Sequence, residues 1–126
     1  MLYTTITNVA YYETLREDAR DGETRWTVNR HVRAGDQVIL YVCAPVSAIV
    51  AVGEAEIDVE LEEDPASPWM GRWFADLDGL RMLERPITRA ELMRAFPAWG
   101  YWRQPRQSVA VPGEYVVELE RLLTRR

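Results

Sequence analysis

Lysine is absent, and all fifteen basic residues of this 126-residue chain are arginine. There is one cysteine, Cys43, and one histidine, His31. A lone cysteine forms no internal disulfide, which points to a reducing compartment, the cytoplasm. One His and one Cys are too few for a metal site built on those ligands. Nucleophilic Cys–His chemistry would have only this pair, and Cys43 sits inside the apolar run "VILYVCAPV". No apolar stretch approaches the roughly 18 residues of a membrane span. The start, "MLYTTITNVAYYETLRED", lacks the basic and apolar segments of a signal peptide. Repeats, low-complexity tracts and linkers are missing too. The expectation is one domain, 1–126, without membrane, metal or cofactor.

What is present is an ordinary globular composition, 48% hydrophobic and 28% charged, enough to bury a core. The net charge of -5 is unevenly spread. Nine acids and one Arg lie between Gly53 and Leu80, whereas six Arg and two Glu lie between Arg81 and Arg106. One part of the surface should repel phosphate and another hold it. Arginine suits bidentate phosphate contact and stacking, although codon usage in a GC-rich genome also produces a chain without lysine.

The pattern along the chain predicts a strand at "LYTTIT" and, capped by Asn8, a helix over "VAYYETLRED". "ARDGETRW" reads as a turn, and "GDQVILYV" as a buried strand ended by Ala44-Pro45. "VSAIVAVGEAEIDVELEED" reads as one or two further strands. Its second half alternates, with Ala55, Ile57, Val59 and Leu61 on one face and five carboxylates on a solvated other face. "GRWFADLDGLRMLERP" reads as a strand pair or a bent strand. Thr88 and Glu91 have capping-box spacing for a short helix. An irregular "PAWGYWRQPRQSVAVP" precedes a last helix from about Pro112, with Val116, Leu119 and Leu123 on one stripe. Few helices and consecutive strands imply an α+β fold around a strongly curved sheet or small barrel.

Several of these segments, in this order, resemble the EVE domain family of the PUA-like superfamily, which also holds the YTH and ASCH domains. They are "TITN" running from strand into helix cap, Trp26 after a polar turn, "VRAGDQVILYV", "APVSAIVAVGEAEI" and "RQSVAVPGEY". The resemblance implies a PUA-like pseudo-barrel, a curved mixed sheet with surrounding helices, and no catalytic activity. It also implies a use for tryptophan. YTH domains grip a methylated base with aromatic residues, one after the first helix and others in a later loop of the form Trp-x-Gly-x-aromatic. Trp26 resembles the first position, and Trp69 in "PWMGRWF" the second, followed by Gly71 and Trp73-Phe74.

The expected ligand is therefore a methylated or hydroxymethylated nucleobase in nucleic acid, most readily DNA, extruded into a pocket lined by Trp26 and Trp69. Asn29, Asn8 and Ser108 are candidates for reading its polar edge, and Trp73 and Trp102 for further aromatic contact. Arg103 and Arg106, with Arg30 and Arg33, are candidates for the flanking phosphates. EVE domains act as readers alone or with nucleases, so a partner effector is expected. Core filling by the tryptophans stays open, as do three other functions. One is an RNA-binding ASCH or PUA-type module. Another is a small nucleoside or nucleic-acid hydrolase, for which only His31, Asp36 and Glu54 are on offer. The third is a protein-interaction barrel.

Overall fold

The computed structural model describes residues 1–124 and 126. Its strands are β1 (Leu2–Thr7), β2 (Thr24–Thr27), β3 (Gln37–Val42), β4 (Ala48–Ala55), β5 (Glu60–Leu61) and β6 (Trp73–Thr88). Its α-helices are α1 (Tyr12–Asp21), α2 (Arg89–Ala95) and α3 (Gly113–Thr124), with single 3₁₀ turns at Val9–Tyr11 and Gly100–Arg103. The sheet order is β1-β3-β4-β6-β2, with β5 added along β6. Only β1 and β3 run parallel; every other pair is antiparallel.

The apolar run of β3 explains where the core sits. Val38, Leu40 and Val42 point to one face and join Leu15 of α1, Val50 and Leu77. Ile39 and Tyr41 point to the other and join Leu92 of α2, Trp102, and Leu119 and Leu123 of α3. A strand covered on both faces reads as a continuous hydrophobic run instead of an alternating one. On α3 the expected stripe holds, with Leu119 and Leu123 buried and Val116 packed beside them, while Val117 faces out.

The curl of the sheet is built into β4 and β6. Their register shifts between Ile49 and Ala51 and again between Val52 and Glu54, and such irregularities bend a strand and increase its twist. Gly79 at φ 58 lies in this bend, a backbone region that favours glycine. "GRWFADLDGLRMLERP" is thus one bent strand. Opposite the bend, a Cβ on Gly53 would lie 3.3 Å from that of Leu77, so the two strands approach closely there.

Three local expectations are corrected. The helix after Asn8 is split: Asn8 caps the 3₁₀ turn through its Oδ1, which accepts from the Ala10 amide at 2.9 Å, and α1 starts only at Tyr12. "ARDGETRW" is no turn as a whole. Ala19–Asp21 finish α1, Gly22 at φ 77 ends it, and β2 starts at Thr24. The alternation after Ala55 does not continue the strand. Glu56 N still donates to Asp76 O, but the chain bends at Glu56 and Ile57, Asp58 accepts from the Ala34 amide, and a short ladder resumes at Glu60–Leu61. Ile57 and Leu61 are consequently exposed.

The capping box is realised, since the Thr88 hydroxyl accepts from the Glu91 amide at 3.1 Å. The Glu91 carboxylate in turn takes Arg126 Nη2 at 2.5 Å, joining the start of α2 to the end of the described chain. Arg126 holds the Glu91 carboxyl below the ordinary carboxylate range. A depressed folded pKa gives stability that is present above the unfolded pKa and lost as pH falls through the folded one. Acid unfolding of Glu91→Gln, followed by circular dichroism, is therefore expected to show a shallower loss of stability at acidic pH than the parent. An unchanged acid limb would mean the pair contributes nothing.

Candidate functional site

The two ends of the sheet order, β1 and β2, come close without forming a ladder. In β1, Thr4 N donates to Val109 O and Leu2 O accepts from Val111 N, so even-numbered residues turn their backbone groups away from β3. Ile6 continues that phase, so its N–H and C=O also turn away from β3, and the residue lines the space between β1 and β2. Side chains bridge the gap instead: Thr5 Oγ1 donates to Thr27 O at 2.6 Å, and Trp26 Nε1 donates to Thr7 Oγ1 at 2.9 Å. Because this seam is not zipped up by backbone pairing, it stays open to the surface at both ends.

An open cleft of about 440 Å³ lies at one end. Four aromatic rings wall it: Tyr11, Trp26, Trp69 and Phe74. Trp26 comes from β2, where it pairs with Ala75 and packs partly on the core. With its N–H committed to Thr7, it offers the cleft a ring face and no donor. Tyr11, 41% exposed, is turned outward by the 3₁₀ turn and meets Trp26 and Trp69 edge-on, at centroid distances of 6.5 and 5.7 Å. Trp69 meets Phe74 edge-on at 6.4 Å.

Trp69 is carried by the loop between β5 and β6. Its neck is closed by Glu62 N to Arg72 O and Gly71 N to Glu62 O, each 2.9 Å. Inside it, Asp64 Oδ1 accepts from Ala66 N, Ser67 Oγ accepts from Trp69 N, and Trp69 O accepts from Arg72 N. The chain reverses at Gly71, φ 82, where a residue with a Cβ would be strained. The glycine between the two tryptophans of "WMGRW" is thus the hinge of a tight return, and it sends Trp69 and Trp73 to different clefts.

The polar lining includes Thr7, Asn8, Thr14 and Thr27, together with Arg25 and Arg72; it holds no carboxylate, histidine or cysteine. Arg25 is shared among Glu60 at 3.6 Å, Asp76 at 3.8 Å and the face of Phe74 at 5.2 Å. Arg72 is exposed and its guanidinium has no ionic partner among the described residues. In a protein of net charge -5, this end of the seam is a place where an anion meets little repulsion.

Of the residues expected at the site, Trp26, Trp69 and Asn8 line this cleft. Asn8 uses its Oδ1 for the cap, while its amide NH₂ has no partner among the described residues. Trp73, Asn29, Ser108 and Arg106 line a smaller cleft of about 240 Å³ at the other end of the seam. Asn29 and Ser108 are tied to each other: the Asn29 amide and Nδ2 donate to Ser108 Oγ and O, and Ser108 Oγ donates to Thr4 O. Their side chains pin two loops to β1 and are not spare for reading a base edge.

Trp102 lies outside both clefts. It is fully buried, packed on Tyr41, Trp99 and Tyr101 at centroid distances of 5.7, 5.3 and 4.9 Å. Arg103, Arg30 and Arg33 line neither cleft: the Arg103 carbonyl accepts from Arg89, Arg30 leans on the His31 ring, and the Arg33 guanidinium turns back to Val32 O. Tyr11, Phe74, Arg25 and Arg72 were not anticipated. The usable signal for Arg72 is its place immediately before the strand that carries Phe74.

The groups available to a hydrolase are scattered. His31 is exposed on its own loop, Asp36 accepts from the Met1 ammonium and the Arg33 amide, and exposed Glu54 faces a groove beside α3. Among the described residues no cluster of His, Cys, Asp or Glu converges to hold a metal, and no helix is long and apolar enough to cross a membrane. Tyr101 has its phenol pushed up to about 12 by burial. It bonds Thr4 Oγ1 at 2.9 Å and donates to Gln107 O at 2.7 Å, fastening the loop that carries Arg106.

No family model and no curated protein matches the sequence. Solved structures do match the architecture. A protein of Pseudomonas syringae superposes with a TM-score of 0.77 at 15% identity, over 97% of this chain and 99% of that one. The DUF55 domain of human thymocyte nuclear protein 1 gives 0.71 at 13% identity, over 97% and 99%. An ASCH protein of Zymomonas mobilis gives 0.63 at 14%, over 96% and 94%. At these identities the likeness speaks for the fold, and the chain is an α+β, PUA-like pseudo-barrel whose β1–β2 seam opens into an aromatic cleft.

Proposed function

We propose that this chain is a non-catalytic, EVE-type binding module that takes a single modified nucleobase of a nucleic acid into the aromatic cleft. The observation that supports this most is the meeting of Trp26 and Trp69, 43 positions apart in the sequence, in one open cleft with Tyr11 and Phe74. A flat, polarisable ligand fits walls of this kind. Flipping a base from a duplex costs a few kcal/mol, and each aromatic stack returns about 1–3 kcal/mol, so two walls offset extrusion. One buried methyl adds only ~0.8 kcal/mol. Discrimination therefore also needs donors or acceptors at the base edge. Asn8 Nδ2, in the cleft lining and without a partner among the described residues, is the donor best suited to this.

Asn8→Asp provides the test, because aspartate keeps the cap and replaces the amide donor by a carboxylate. Binding is measured by tryptophan fluorescence against modified and unmodified bases in matched DNA and RNA strands. The parent should prefer the modified strand, and Asn8→Asp should weaken that strand at least about fivefold, the value of one ordinary hydrogen bond, with no change in melting temperature. Equal affinity of the parent for modified and plain strands would remove the reader function. Preference for RNA regardless of modification would favour an ASCH-type module, the reading supported by the Zymomonas mobilis likeness.

A further inference from the structure

The smaller cleft has features that a base pocket does not need. Two arginines, Arg72 and Arg106, line it, and no carboxylate does. Neither guanidinium has an ionic partner among the described residues, in a chain where acids outnumber bases by twenty to fifteen. Ile6, Thr27 and Arg72 line both clefts. Arg72 thus stands on the divide, and Arg106 lies beyond it. The position of Arg106 is fixed by its neighbours, since Ser108 is tied to Asn29 and Thr4, and Gln107 O accepts from Tyr101. Both side chains are exposed at this cleft, so it presents positive charge to an incoming anion.

We propose that the smaller cleft is a phosphate–ribose subsite, where Arg72 and Arg106 hold the backbone of the nucleotide adjoining the base in the aromatic cleft. The proposal rests on the larger cleft taking the base. The ligand is then a nucleotide within a strand, and a free nucleoside occupies only half the site. At about 240 Å³ against about 440 Å³, the smaller cleft suits a sugar and phosphate better than a second base. Trp73, half-buried in its wall, gives the ribose an apolar surface. Arginine forms paired hydrogen bonds to phosphate oxygens, and the seam leads from one cleft into the other.

The experiment compares ligands that differ by one phosphate. Methylated and hydroxymethylated deoxycytidine and methylated deoxyadenosine are titrated as nucleosides, as monophosphates and within short single strands, over a range of salt. Inorganic phosphate serves as the anion alone. For the base that binds, the phosphate should tighten affinity several-fold. Exposed Arg106, changed to alanine, should abolish most of that gain and leave the nucleoside unaffected. For the single strand, the slope of log affinity against log salt should fall by about 0.7. A phosphate that adds nothing, a gain that survives Arg106→Ala and Arg72→Ala, or an equal loss for nucleoside and monophosphate would overturn the subsite. If no nucleoside binds but strands still bind and Arg106→Ala weakens them, the base reading falls and the phosphate subsite stands.

Discussion

Trp102→Ala is expected to destabilise the fold by about 3–5 kcal/mol, the cost of emptying a buried aromatic site, and to lower Tm by on the order of 10 °C or more. The indole is fully buried at the junction of β3, α2, α3 and the 3₁₀ turn that contains it. Its rings touch three other aromatics, and edge-on contacts of this kind add to the buried area. Among the described residues its buried Nε1–H has no hydrogen-bond partner, which costs free energy that the packing must exceed. Trp102→Phe should consequently lose clearly less than Trp102→Ala, because it deletes the orphan donor along with part of the volume. Both follow from thermal and denaturant unfolding. Either variant, while folded, should bind a nucleobase as the parent does, since the residue lines neither cleft. A loss of affinity larger than the unfolded fraction accounts for would return Trp102 to the site.

Trp69→Ala should behave in the opposite way. The residue lies on a loop outside the core clusters, half-buried between Tyr11 and Phe74. The expected loss is about 1–3 kcal/mol of base affinity, roughly five- to 150-fold in Kd, with the far-UV spectrum unchanged. Trp26→Ala should cost both affinity and stability, because that indole also packs on the core and donates to Thr7. The comparison of the two walls is the informative part. If Trp69→Ala leaves affinity intact while Trp26→Ala abolishes it, the cleft has one wall and the ligand is bound on its surface, not sandwiched.

These contrasts show which signals the sequence carries and which it hides. β3, the α2 cap and the stripe of α3 could be read directly, because each rests on local chemistry: a two-sided apolar run, a hydroxyl three residues before a glutamate, a helical period. Tyr11 is hidden because the sequence after Asn8 reads as one continuous helix. An initial 3₁₀ turn changes the phase and swings the ring outward. Arg72 was hidden by averaging along the chain, being the one cation in a 28-residue stretch holding nine acids. In space those acids are dispersed over β4, β5, β6 and the loops between them, while Arg72 stands at the seam. Linear charge density is not surface potential. The interleaved "YWRQPRQS" misled in the other direction. A single 3₁₀ turn puts Trp102 inward and Arg103 outward, and of the segment's basic and aromatic residues only Arg106 lines the seam. Asn29 and Ser108 looked like edge readers because nothing local reveals that their hydrogen bonds are already used on each other.

The two tryptophan walls differ in how they are mounted. One is set into the sheet, while its counterpart rides on a hairpin whose tip, from Asp64 to Pro68, touches little besides itself. A change in that tip can move or replace one jaw without disturbing the barrel. The same scaffold can therefore be retuned, by selection or by an engineer, to grip a larger or smaller heterocycle by editing a handful of consecutive codons.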